Sequence, residues 1–491
     1  MMHSAYKKVS TFLDTRIFFW IVLALFAAQA IWIAFSLAYP IIFDEKFHFG
    51  VIQIFSHQWA PIISNQPPTY DYYRDLSHEA SYTYHYLMSI PYRLLRLATA
   101  DITKQVIALR LINVGFFLAG LMVYARLFRN IGVRRVYVSL GLLLFTMLPM
   151  VPHIAATINY DNLVFLLAGW YLLLCVRAIK HSRSGRLPWT DYIALIGIGS
   201  FASLAKYSFL PIFALTLIYL LVDLVIKVRR GTPLNIRKWY LNESKSKLAI
   251  ITILVLLSIG LFTRIYVKNV IDYGTPVPAC QVTLSLERCQ ASDVVRRNVR
   301  AETTKNSRPV ASLPEYTSRW VVNMVFGSSF AVANTVDGQN AVREPLPIFY
   351  NLVFFGGILS FLVLALEWRA LQRGQEWQFL FFVAIMVIGS VYVLNVSDYY
   401  KFHAAYANQP RYLFVALPIL LVMIVIAWAK LLRRQIWARA LLLICVASLL
   451  TQGGGAATLI LSSSDNWYWQ NGMVIRANHA AKKILHPLVK E

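Results

Sequence analysis

Residues 17–39 read IFFWIVLALFAAQAIWIAFSLAY, and the chain continues Pro40-Ile41-Ile42-Phe43-Asp44-Glu45-Lys46-Phe47-His48. The first stretch is about 23 apolar residues, and a bilayer crossing needs roughly 20. The core of a cleaved signal peptide is shorter, about 7–15 residues. We therefore read 17–39 as a retained signal anchor. On a helical wheel of 44–57, Lys46, Gly50, Gln53 and His57 fall on one side. Phe47, Val51 and Phe55 fall opposite, with Asp44 and His48 amid the apolar side and Glu45 on its flank. The spacing predicts a helix lying on the membrane surface or against a bundle, its acid and imidazole turned inward. An inward charge is costly unless it is paired or used. Two plainer roles stay open: Asp44 as an N-cap, and His48 as a buried, hydrogen-bonded histidine.

Working outward, ten more apolar stretches follow, at about 105–125, 136–151, 159–176, 190–205, 208–226, 248–268, 346–366, 377–394, 412–429 and 440–461. The third and fifth of the eleven are short. Of 491 residues, 58% are hydrophobic and 14% charged, where a soluble domain is about a quarter charged. With 14% aromatics, disorder is excluded as well. The net charge of +24 is mainly a topology signal. With the N-terminus inside, the short inner loops are strongly basic and the long outer segments nearly balanced, as the positive-inside rule requires. No basic segment carries a nucleic-acid reader motif. The lipid bilayer is the partner this composition implies, and nucleic acid is not.

Two outer segments are too long to be mere connectors, about 40–104 and 269–345. Residues 462–491 form an outer C-terminal tail. Chemistry is expected at the outer face. The first segment continues through Ser81-Tyr82-Thr83-Tyr84-His85-Tyr86 to Pro91, which reads as a second surface helix. Its aromatics are interfacial anchors in the plainer reading; Tyr82 and His85 are candidates for stacking on a sugar or an acceptor. Cys175 and Cys445 fall inside spans. Cys280 and Cys289 lie in the second outer segment, where either a disulfide or two free thiols fit.

Further polar groups cluster near the expected outer ends of spans. They are Tyr160-Asp161, Lys206-Tyr207, Asp398, Lys401, His403 and Gln409-Pro410-Arg411-Tyr412. A lone outer Lys206 runs against the positive-inside rule, with snorkelling to the headgroups as its plainer role. Arg411 suits bidentate phosphate contact, and lipid headgroups would satisfy it too. If Asp44, Asp161, Lys206 and Arg411 converge, carboxylates stand beside phosphate-binding cations.

At these positions the chain resembles the GT-C membrane glycosyltransferases, which include the protein O-mannosyltransferases and the lipid A aminoarabinose transferases. It looks most like a bacterial family of uncharacterised multi-span membrane proteins among them. The matching residues are Asp44, Glu45 and His48 after the first span, Tyr160-Asp161, Leu204-Ala205-Lys206, and Gln409, Arg411 and Tyr412 opening a late span. They keep the family's order over about residues 17–430. Two places depart from it: Pro410 stands where a Gly is usual, and Ile42-Phe43 where Pro-Pro is frequent.

The resemblance implies an all-α polytopic membrane protein of about 11 transmembrane helices, GT-C-like over residues 1–461, with amphipathic surface helices in the first outer loop. It implies a polyprenyl-phosphate-linked sugar as donor, a glycan, lipid or protein as acceptor, and a base on the first outer loop. The expected assignment is catalytic for Asp44, Glu45 and His48. Substrate contact is expected from Tyr160, Asp161, Lys206, Tyr207, Gln409, Arg411, Tyr412, Tyr82 and His85. A Mg2+ or Mn2+ cofactor on the carboxylates is left open. Two other classes compete. A transporter would return a lipid-linked saccharide unchanged, and a scaffold would tolerate loss of Asp44, Lys206 and Arg411.

Overall fold

The computed structural model describes residues 2–41, 44–64, 66–183, 189–230, 245–334, 340–371, 374–406 and 408–488. Ile42 and Phe43, one of the two departures noted above, lie outside the described residues. The chain is almost wholly helical. It opens with α1 (Met2–Leu13) and α2 (Arg16–Ser36). Next come α3 (Glu45–Ser56), a 3-10 turn (Pro68–Tyr73) and α4 (Thr83–Ala98). The middle of the chain is α5 (Ile102–Asn130), α6 (Arg135–Thr146), α7 (Met150–Ala155), α8 (Tyr160–Arg183), α9 (Trp189–Ala205) and α10 (Leu210–Arg229). Helix α11 (Lys245–Phe262) runs through a π-helical turn (Thr263–Val267) into Lys268–Tyr273. The second outer segment holds α12 (Asp293–Thr303) and α13 (Leu313–Ser329). Then follow α14 (Pro347–Leu366), α15 (Gln375–Phe402), α16 (Leu417–Leu431), α17 (Ile436–Thr451), α18 (Ala456–Ser462) and α19 (Gly472–Leu485).

Among the described residues, seven helices are long and apolar enough to cross a membrane, and the bent pair α17–α18 makes an eighth. Three shorter apolar helices, Arg135–Thr146, Thr190–Ala205 and Leu417–Leu431, occupy the third, fifth and tenth stretches read from the sequence. For the first and the last of them the shortness has a visible cause. Helix α6 breaks at Leu148-Pro149 before α7, and α16 begins only after the 3-10 turn Pro410–Leu413. Proline lacks the amide hydrogen and clashes with the preceding turn. Helix α15 departs the other way. It extends to Phe402 and ends on His403 in the left-handed conformation. Asp398 and Lys401, which lie beyond the apolar stretch 377–394, therefore stand on its last turns. Outside the helices, Ala331–Asn334 pairs antiparallel with Asn340–Arg343, a small departure from all-α within the second outer segment.

Helix α8 is the axis of the bundle: 78% of its apolar window is enclosed, against 11–44% for the other six long helices. Aromatic rings fasten it to its neighbours. Phe117 of α5 stacks on Phe165 of α8 with centroids 4.3 Å apart, and Tyr124 lies on the other side of Phe165 at 4.8 Å. Gly120 makes room for this, since a Cβ there would sit 2.5 Å from a Phe165 ring carbon. Tyr124 also donates to the Val415 carbonyl at 3.0 Å, which ties in the entrance to α16.

Charged helix ends gather at one pole. Arg134 pairs with Asp14 at 3.0 Å, Arg183 with Glu376 at 3.1 Å, and Lys227 with Asp223 at 2.6 Å. The starts of α3, α8 and α16 and the α9–α10 turn meet at the opposite pole, as the contacts below show. The two long outer segments dock there on each other. Arg288 grips Asp71 with two hydrogen bonds of 2.8 Å, and Tyr273 lies 3.2 Å from His78. The Cys280–Cys289 disulfide closes the small loop that carries Arg288. The segment around Trp467 and Asn478 is packed rather than trailing. Ala38 N–H donates to the Trp467 carbonyl at 3.0 Å, and Trp32 donates to Asn478 at 3.0 Å.

Candidate active site

Helix α3 starts as the pattern requires, with Lys46 and His57 exposed and His48, Val51 and Phe55 buried. Gly50, expected on the polar side, lies against Tyr73 of the 3-10 turn. Asp44 takes the N-cap position in a left-handed conformation, φ 70°, and makes no capping bond with its side chain. Such a backbone is uncommon for a residue with a Cβ and costs of order 1–3 kcal/mol. Its effect is to turn the carboxylate away from the helix. Asp44 Oδ2 accepts from Arg411 Nη2 at 2.8 Å. The expected inward aim is thus half right: one oxygen is engaged, and the side chain remains 47% exposed.

From Asp44 a chain of opposite charges runs inward. Arg411, on the 3-10 turn before α16, is buried and places Nε 3.7 Å from Asp161 Oδ2. Asp161 opens α8, and its other oxygen accepts from Lys206 Nζ. Lys206 lies over the rings of Tyr160 and Tyr412, 4.7 and 4.4 Å from their centroids. Cation–π contacts of this kind hold a partly desolvated ammonium. At 4% and 3% exposed, Lys206 and Arg411 do not reach out to headgroups, so neither snorkelling nor lipid-headgroup contact describes them. The four residues singled out for convergence do converge.

Five of these six residues, Tyr160, Asp161, Lys206, Arg411 and Tyr412, line a cavity of about 270 Å3 together with Tyr207 and Asp398. The cavity is polar at that end. Val164, Phe165, Phe209, Ile212, Val387 and Leu394 supply an apolar wall, interrupted by Ser390 and Asn395. Asp44 touches the cavity only through Arg411.

Glu45 has a different surrounding from its neighbour. It is fully enclosed and accepts from Arg110 Nε and Nη2 at 2.9 and 2.8 Å, and from the Ile41 and Ile158 amides at 2.6 and 3.1 Å. Arg110 also donates to the Ala34 and Leu37 carbonyls at 3.1 and 2.6 Å. These are acceptors at the C-terminal end of α2, where a helix leaves carbonyls unsatisfied. With all its lone pairs so occupied, Glu45 stands as a structural clamp, in place of the reacting role expected of it.

The two histidines are also enclosed. His48 Nδ1 and His85 Nε2 are 2.8 Å apart, joining α3 to α4, and His48 packs on Tyr160 with centroids 4.5 Å apart. Burial, with His85 and the nearby cations Arg411, Lys206 and Arg74, drives the His48 imidazole well below its ordinary pKa. Burial likewise drives His85 down to about 3. Tyr82 packs with Phe55, Leu204 and Tyr266, away from the cavity, and the Gln409 side chain does not line it either. These places do not match the substrate contact expected of Tyr82, His85 and Gln409.

The electrostatics of Asp44 combine two opposing effects. Burial alone would raise its carboxyl. The charge and hydrogen bond of Arg411, with Arg74 and Lys206 behind, outweigh that and hold it below the usual carboxylate range. Arg74 was missed in the sequence. It has a left-handed backbone, φ 65°, fixed by the Gln66 side chain donating to its carbonyl at 2.6 Å, and its guanidinium lies 5.2 Å from the Phe47 ring centre. Arg110 did leave a signal, a charge inside an apolar stretch, which requires a partner.

No protein-family model and no curated protein matches the chain. Solved structures similar to it include two of one protein. The crystal structure of ArnT from Cupriavidus metallidurans bound to undecaprenyl phosphate is 13% identical, covering 96% of this chain and 70% of that one, with a TM-score of 0.48. The apo form of the same ArnT is 14% identical, covering 95% and 72%, with a TM-score of 0.43.

Proposed function

We propose that the chain is a membrane glycosyltransferase that moves a sugar from a polyprenyl-phosphate carrier to an acceptor hydroxyl at the outer face. One observation carries the reading. A carboxylate half open to water is joined, through Arg411, to buried cations lining a cavity that has a polar end and an apolar wall. Buried titratable groups of opposite sign in a cleft are functional-site candidates. An amphipathic cavity suits a lipid phosphate, its headgroup at the cations and its chain along the apolar wall.

The reaction is a single displacement. Asp44 accepts the proton of the acceptor hydroxyl as general base. The acceptor oxygen forms a bond to the anomeric carbon, which passes through an oxocarbenium-like state. The bond from that carbon to the phosphate oxygen breaks, its electron pair leaving with the phosphate. Lys206 and Arg411 stabilise the charge that develops there. One displacement inverts the anomeric centre. In this reading Glu45 and His48 position α3, and Asp161 holds Lys206 and Arg411 in place. Among the described residues, no three His, Cys, Asp or Glu side chains gather as a metal-binding group. The two site carboxylates already face cations, so the steps run through the chain's own residues.

Asp44→Asn tests the proposal. It should lower transfer about 10²–10⁴-fold, the usual contribution of a general base, with the protein still expressed and folded. The assay is release of free polyprenyl phosphate from a panel of polyprenyl-phosphate sugars. Full activity in this variant would move the base elsewhere. A carrier returned intact with its sugar, on the far side of a sealed vesicle, would identify a transporter instead.

A further inference from the structure

Two carboxylates, Asp44 and Asp161, pair with two cations of the site, Arg411 and Lys206. A lipid phosphate is one more anion, and both cations are already engaged. At Arg411 it competes with these carboxylates for the guanidinium. The two candidates differ sharply in what displacement costs. The Asp161 side chain is 7% exposed and bridges both cations, so freeing it would strand a buried charge. Asp44 is 47% exposed, and water is at hand to solvate it once it lets go.

Resting on the reading above, we propose that the donor's phosphate takes Arg411 from Asp44, and that this exchange arms Asp44 as the base. Arg411 is then a positioning residue for Asp44 before the donor binds and a phosphate ligand afterwards. While Arg411 is on Asp44, the carboxylate holds a proton poorly. Once the guanidinium is neutralised by phosphate, proton affinity returns to Asp44. The order of events follows: carrier first, activation of the acceptor second. The charge balance is consistent. As Asp44 gains the acceptor's proton, the leaving phosphate gains the electron pair of the broken bond, and the total charge on the wall does not change.

The groups facing Asp44 are Arg411, Arg74, Lys206, Tyr72 and Tyr160. Only Arg411 donates a hydrogen bond to it among the described contacts, so the exchange predicts coupling to that residue specifically.

The test is equilibrium binding of decaprenyl phosphate, with uncharged decaprenol as reference, to the full chain in lipid nanodiscs. Asp44→Asn leaves Arg411 uncontested and should tighten binding about 10-fold, a coupling of ordinary size for contacting groups. Arg411→Gln should weaken binding, and in that background Asp44→Asn should bring no gain. Should Arg411→Gln not fold, Arg411→Lys is read the same way, with a gain less than half that in the wild type. An unchanged or weaker affinity in D44N overturns the exchange. So does a gain that persists undiminished without Arg411, since Asp44 would then act through long-range repulsion alone. If the wild type prefers decaprenyl phosphate no more than decaprenol, the lipid-phosphate reading itself falls.

Discussion

Asp44 and Glu45 are adjacent acids with opposite fates, and the left-handed backbone at Asp44 separates them. Glu45 satisfies every donor around it and, through Arg110, ties the end of α2 to α3, α5 and the start of α8. Removing one partner of such a pair strands the other as a buried charge. Glu45→Ala should therefore cost about 3–5 kcal/mol, read as a lowered denaturation midpoint in detergent with Arg110 intact. The His48–His85 pair sets a second expectation. Both imidazoles are neutral when folded and titrate far below the ordinary value near 6.5, His85 at about 3. Below that ordinary value the unfolded chain takes up protons that the folded chain refuses. Stability is therefore full above about pH 6.5 and declines as pH falls towards the folded pKa values. Replacing both residues by Gln should flatten this acid slope in the thermal midpoint. An unchanged slope would mean that the pair is not what titrates.

At the scale of elements, the position of the site depends on how closely α5 and α8 approach. Asp161 stands on the first turn of α8, and the same helix lies against α5 at Gly120. Gly120→Ala should overpack this contact, because the new methyl would meet Phe165 and the Leu166 backbone at 2.5 and 3.3 Å. Such insertions cost about 1–3 kcal/mol, measurable by chemical denaturation, and a neutral result would show that the helices can part without penalty. The 3-10 turn Pro410–Leu413 is the other decisive element. It interrupts the approach to α16 so that Arg411 turns into the bundle. A continuous helix would have carried its side chain elsewhere around the axis.

At the scale of the molecule, the basic helix ends lie at one pole and the candidate site at the other. On the proposed reading, the positive-inside rule assigns the site's pole to the outer face. A membrane-impermeant maleimide should label Lys46→Cys on intact cells and Arg230→Cys only after permeabilisation, both positions being exposed. The reverse pattern would invert the proposed orientation. The two long segments, 40–104 and 269–345, are joined by the bidentate Arg288–Asp71 contact. That contact holds the turn carrying Arg74.

The order of apolar stretches, their lengths and the asymmetry of the loop charges come from the sequence alone, because span length and charge placement are local properties that a bilayer reads directly. So does the short roster from which the site is drawn, since a charge beside or inside an apolar span has to be explained. Which of those charges face one another was settled only in three dimensions. Asp44 and Arg411 are 367 residues apart along the chain, and no periodicity links them. Hydrogen-bond saturation is a property of the packed interior as well. It made Glu45 a clamp and left its neighbour Asp44 half in water, a difference that two consecutive carboxylates do not reveal in one dimension.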